Sequence, residues 1–179
     1  MIFLFAMTAI VCGQVTVNNQ FSVKLDISDP IPSERFAEKE LKHNLGEIFG
    51  TTDAVLNRKS GPSIILRHDK SLGLEEFRIT ADNSGNIVIT GGRIRGVLYG
   101  TYYFLDRKLG VHWYSPFDEY VPSAKSITVT GLPYIGKPLY EARLMLGHQD
   151  RASKLWQTRN LLSINAVINI QIEELGEVY

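Results

Sequence analysis

The stretch Arg95–Pro116 reads RGVLYGTYYFLDRKLGVHWYSP. Leu98, Tyr102, Leu105 and Leu109, with Ile94 just before the stretch, recur at helical spacing. Val97, Tyr99, Tyr103 and Phe104 make the remaining faces apolar as well. A helix that is apolar nearly all round is a buried helix. Gly96 and Gly100 fall on one face of it. A glycine inside a helix costs roughly 1 kcal/mol relative to alanine, so two of them four apart predict a neighbouring backbone that comes close. Gly110 suits the C-terminal stop, and VHWYSP (Val111–Pro116) reads as the end of a strand.

Working outward, Phe21–Ile27 (FSVKLDI) alternates apolar and polar residues and is expected to be a strand. Asp29–Pro32 breaks it. Ser33 is expected to cap a helix carrying Glu34 in its first turn, with Ala37, Leu41, Leu45 and Ile48 on the apolar face and Gly50 at the stop. SIILR (63–67) reads as a short buried strand. Phe77, Ile79, Ile87 and Ile89 alternate with polar residues on either side of ADNSG, which predicts an antiparallel hairpin. Ser126–Gly131 is a last strand, and the prolines and glycine of LPYIGKP place a boundary near Lys137. The order strand, helix, strand, hairpin, helix, strand predicts an α+β fold: one mixed sheet with two helices packed on it as an α/β sandwich. No internal repeat interrupts the pattern.

The chain has 179 residues, 44% of them hydrophobic, and 19 basic residues balance 19 acidic ones. That length allows one core with the fragment of a second. Without a basic stripe to neutralise phosphates, nucleic acid is not an expected partner. The run Met1–Gly13 is apolar and then small, and is expected to be a secretory signal, although no Lys or Arg precedes Lys24; a buried first strand is the other reading. The run is too short to span a bilayer. Export implies a secreted or periplasmic protein. Cys12 is the single cysteine and would leave with the signal, so disulfide and thiolate chemistry drop out.

Familiar catalytic spacings are missing. The sequence contains no G-x-S-x-G, no H-E-x-x-H and no phosphate-cradling glycine loop. Gly91–Gly96 (GGRIRG) lacks the dinucleotide spacing and reads as a turn. His43, His68, His112 and His148 are scattered, so neither metal nor cofactor is expected. Glycosidases need two carboxyl groups across one bond. Glu75 and Glu76 are adjacent and so are Glu173 and Glu174, and neighbours on a strand point to opposite faces. No catalytic pair is assigned.

The quoted stretch, extended back to Ile89, resembles the N-terminal domain that precedes the catalytic barrel of alpha-glucuronidases. It also resembles the second domain of beta-hexosaminidases, where a G-x-x-Y-G helix packs on a sheet; here those residues are Gly96, Tyr99 and Gly100. The resemblance runs from about Phe21 to Pro133. It implies a scaffold domain over 21–137 packed against a C-terminal (β/α)8 barrel, with residues 138–179 the start of a truncated barrel and Tyr140–Leu146 its first strand. It also implies an inactive fragment of a glycoside hydrolase whose carbohydrate is bound through the missing barrel. Pro138–Arg143 (PLYEAR) resembles the hexosaminidase strand entry P-x-F-x-x-R, whose arginine reaches the sugar. Arg143 is therefore a candidate sugar contact, with a structural salt bridge as the alternative. The Leu-Asp that follows in hexosaminidases is Leu146-Gly147 here, and the W-D-N segment of alpha-glucuronidases is replaced by LWQTRN (155–160), closer to a W-x-x-R-N pattern. Trp156 is a candidate sugar platform, with core packing as the alternative. A stand-alone carbohydrate-binding or interaction module is the second reading of the whole.

Overall fold

The computed structural model describes residues 13–140, 143, 145 and 150–163. The elements are β1 (Gly13–Asn18), β2 (Ser22–Leu25), α1 (Pro32–Phe49), α2 (Asp53–Leu56), β3 (Ser63–His68), β4 (Phe77–Ala81), β5 (Ile87–Gly91), α3 (Gly96–Leu109), β6 (His112–Ser115), β7 (Asp118–Tyr120), β8 (Ser126–Leu132), β9 (Tyr134–Gly136) and α4 (Arg151–Arg159). Five strands form a mixed sheet in the order β2-β3-β5-β4-β9. The first three run parallel, and β4 pairs antiparallel with both β5 and β9. The fold class is α+β, as the alternating strands and two amphipathic helices predict.

Period-two patterning puts Ile64, Leu66, Ile79, Ile87 and Ile89 on the inner face, all fully buried. Arg67, Arg78, Thr80 and Thr90 alternate with them and are half-buried or exposed. The inner face meets α1 and α3, which also pack on each other. Ala37, Leu41, Leu45 and Ile48 of α1 close that layer.

The first turn of α1 differs from the sequence expectation. The helix starts at Pro32 with Ile31 as its cap. Proline fits the first helical position because its missing N–H is an orphan there anyway. Ser33 is thereby drawn inside the first turn and buried, and its hydroxyl donates to the Ile94 carbonyl at 2.7 Å. The capping oxygen comes from Glu34, which accepts from the Ile31 amide at 2.9 Å and is held by Arg93 at 2.9 Å.

Helix α3 begins at Gly96, leaving Ile94 outside it, and ends at Gly110 with φ of 81°. Its aromatic residues Tyr99, Tyr102 and Phe104 are fully buried. The close approach expected at its glycines is present. A Cβ on Gly100 would sit 2.7 Å from Ile89 Cγ2 and 3.2 Å from Phe77 Cβ, and one on Gly96 would sit 2.4 Å from the Glu76 carbonyl oxygen.

One mixed sheet is not the whole architecture. The strand expected at the end of the front region, β8, pairs antiparallel with β1 in a separate two-stranded ribbon, and β6 pairs with β7 in another. The strand expected over 21–27 is shorter, Ser22–Leu25, and its partner is β3. β9 supplies the fifth strand just before Lys137. Of the signal expected over residues 1–13, residues 1–12 lie outside the described residues and Gly13 begins β1; most of the barrel strand expected over Tyr140–Leu146 also lies outside them. Among the described residues no helix is long and apolar enough to cross a membrane.

Candidate functional site

The turn before β4 brings Glu75 inward, where it is 7% exposed. Arg95, in the turn before α3, is equally buried and places Nη2 2.7 Å from Glu75 Oε1. Arg143 approaches the other oxygen, with Nη2 2.5 Å from Oε2. One carboxylate is thus shared between two guanidiniums in a poorly hydrated place, where charges persist only when paired. The Arg95 guanidinium also lies 5.8 Å from the centre of the Tyr99 ring. Burial pushes the Tyr99 hydroxyl well above its ordinary value against the opposing pull of Arg95. That hydroxyl donates to the Leu162 carbonyl at 2.7 Å.

Arg143 is fully engaged. Beyond Glu75, its Nε donates to the Leu161 carbonyl at 3.0 Å, its Nη1 to the Tyr140 carbonyl, and its backbone amide to Ser163 Oγ at 2.6 Å. The salt bridge weighed as the alternative for this residue is present. Beside it, Phe77, Tyr99, Tyr103 and Tyr134 line a cavity of about 160 Å³. Tyr103 and Tyr134 stack within it, 4.1 Å apart and 12° from parallel.

Trp156 sits elsewhere. Asp150 caps α4 by accepting from the Ser153 amide at 3.0 Å, and these bonds from Ser153 hold its carboxyl below the ordinary range. The helix then lays the W-x-x-R-N residues on β6. Trp156 Nε1 donates to the Trp113 carbonyl at 2.9 Å, and Asn160 Nδ2 donates to the same oxygen at 3.3 Å. The Arg159 guanidinium covers the Trp113 ring at 5.3 Å and pairs with Glu40 at 2.9 Å and Glu119 at 3.2 Å. Glu40 also accepts from the buried Tyr102 hydroxyl at 3.1 Å. Burial would lower the Arg159 pKa, but the adjoining Glu40 raises it above its ordinary value.

The two residues singled out in the sequence therefore stand at two different anchors. Both join residues 140–163 to the front region: one runs through Glu75, Arg95 and Arg143, the other through Glu40, Arg159 and Trp113. A carboxylate acting as acid or nucleophile must reach a reacting atom. Glu75 and Glu40 instead hold guanidiniums. Among the described residues no group of three or more His, Cys, Asp or Glu side chains is placed to hold a metal ion. Sequence reasoning missed Glu75, Arg95, Glu40 and Arg159. Arg95, a cation at the mouth of an apolar helix, was the available signal.

The fold is that of a domain found in glycoside hydrolases. The chain is similar to the Streptomyces plicatus beta-hexosaminidase in complex with GlcNAc (TM-score 0.51, 14% identity, 74% of this chain and 25% of that one). It is similar to the GH20 beta-N-acetylhexosaminidase of Streptomyces coelicolor (TM-score 0.51, 15% identity, 74% and 25%). It is also similar to a GH115 4-O-methyl-alpha-glucuronidase with specificity for decorated arabinogalactans (TM-score 0.50, 17% identity, 68% and 18%). The chain spans about a fifth to a quarter of the length of these proteins. No family pattern and no curated protein matches the sequence.

Proposed function

We propose that this chain is the accessory N-terminal domain of an exported glycoside hydrolase, alpha-glucuronidase-like or hexosaminidase-like, that breaks down polysaccharide or glycan and is inactive without its barrel. The observation that carries the reading is the double anchoring of residues 140–163 on the front domain by buried ion pairs. A scaffold that must hold a following domain in one orientation needs such fixed joints. The exposed apolar side chains of Leu139, Tyr140 and Met145 lie in this same crossing segment and suit a surface that a barrel covers. In this reading Arg143 holds the barrel entry in place.

The test is enzymatic. The purified 179-residue chain is expected to turn over neither nitrophenyl glucuronide nor nitrophenyl N-acetylglucosaminide. The reading frame is expected to continue past Tyr179 into a barrel with two acidic residues at strand ends. Turnover by the chain alone, abolished by one Glu or Asp substitution, overturns the proposal. A stand-alone carbohydrate-binding module is the second reading, and the aromatic ribbon β6–β7 favours it.

A further inference from the structure

The ribbon β6–β7 has two unlike faces. Its inner face carries Trp113, opposite Glu119 in the register, and α4 occupies that side through Trp156, Arg159 and Asn160. Its outer face carries His112 and Tyr120, which are cross-strand partners, and Tyr114, two residues along from His112. The three rings form a row. His112 lies between the tyrosines, 6.2 Å from Tyr120 at 17° and 6.0 Å from Tyr114 at 41°. Tyr114 is 63% and Tyr120 51% exposed, and Phe117 at the tip of the ribbon is 88% exposed. The middle ring is braced from behind, because Asp106 Oδ1 lies 2.7 Å from His112 Nδ1.

We infer that this outer face is a binding platform for a neutral polysaccharide. Burying three exposed rings needs a partner that offers flat apolar faces edged with hydroxyls. Pyranose rings do so: the C–H groups of one face meet the π cloud while the hydroxyls reach tyrosine oxygens and neighbouring polar groups. The segment 112–120 contains no aliphatic residue other than Pro116, unlike the surface that exposes Leu74 and Leu139. Around the row, Arg107 is paired to Asp106 and Asp118 is exposed, whereas Glu119 and Arg159 belong to the inner side, where Arg159 also pairs with Glu40. Nothing there selects a polyanion. Helix α4 sits on the opposite face of the ribbon and leaves the row open. The platform draws only its general setting from the glycan-processing reading and does not require a barrel.

The test is native affinity electrophoresis of the full 179-residue chain in gels containing hydroxyethylcellulose, glycol chitin or polygalacturonate. Retardation is expected in at least one of the first two and not in polygalacturonate. Tyr114→Ala should weaken it at least about fivefold, and Tyr114→Ala with Tyr120→Ala should abolish it, while Tyr114→Trp retains it. Melting temperatures of the variants should match the parent, because both side chains are more than half exposed. Failure of the parent to be retarded by either neutral polymer overturns the inference, as does equal retardation of the double variant. Retardation by polygalacturonate alone overturns it too. So does sedimentation as a dimer that the double variant disperses, which would assign the row to a second copy. None of these outcomes bears on whether the chain hydrolyses nitrophenyl glycosides.

Discussion

Glu75 is a buried carboxylate shared between two guanidiniums. Glu75→Gln keeps the volume and removes the charge that faces two guanidiniums, Arg95 at 2.7 Å and Arg143 at 2.5 Å. Breaking a buried pair from one side costs about 3–5 kcal/mol, so urea unfolding at neutral pH should report a loss of that order. Arg143→Ala should cost less, since its side chain is 21% exposed and Glu75 keeps Arg95. A loss below about 1 kcal/mol for Glu75→Gln, the range of a surface pair, would place the cluster in solvent. Little of this was legible in the sequence. Glu75 and Arg143 are 68 positions apart, and Arg159 and Glu40 are 119 apart. No local period links them. Arg143 and Trp156 were singled out by resemblance, and the structure gives each a partner that the motif does not name: a carboxylate for the one, a backbone carbonyl for the other.

Helix α3 was legible because its information is local. The 3.6-residue period set its faces, Gly110 its end, and Gly96 and Gly100 the side that meets the sheet. Gly100→Leu should push against Ile89 and Phe77, neither of which has a flexible end to swing aside there. Overpacking of this kind costs about 1–3 kcal/mol or more, visible as a lower melting temperature. An unchanged melting temperature would show α3 to stand off the sheet. Strand pairing was less legible. Alternation tells which face of a strand is buried and is silent about its neighbour. β8 was read correctly as a strand, yet its partner β1 lies more than a hundred residues upstream, inside a region whose apolar start resembled a leader. The shift at α1 has a local cause: Ser33 is a good cap by type, but Pro32 claims the first turn.

At the scale of the whole molecule, the layering follows from one-sided strands and two one-sided helices, and the α+β class could be read from their order. Where the front region hands over to the rest could be read only as a cluster of prolines and glycine. Truncation after Lys137 tests the handover. Glu75 keeps Arg95, while Glu40 loses Arg159 and Trp113 loses its cover. The shortened chain should stay soluble and unfold in one cooperative step at a lower temperature than the full chain, as followed by circular dichroism and sedimentation. Loss of folding on truncation would make α4 part of the same core. The ribbon β1–β8 sets how the front region responds to force. Gly13 stands opposite Leu132, then Val15 opposite Val129, down to Asn18 opposite Ser126. Its hydrogen bonds lie across the strands. Tension between Gly13 and Leu132 therefore loads the end pair first and opens the rungs one at a time, as a zipper does, instead of shearing them together. The ribbon packs on β4 of the five-stranded sheet, so its parting is the first step by which such a load reaches the core.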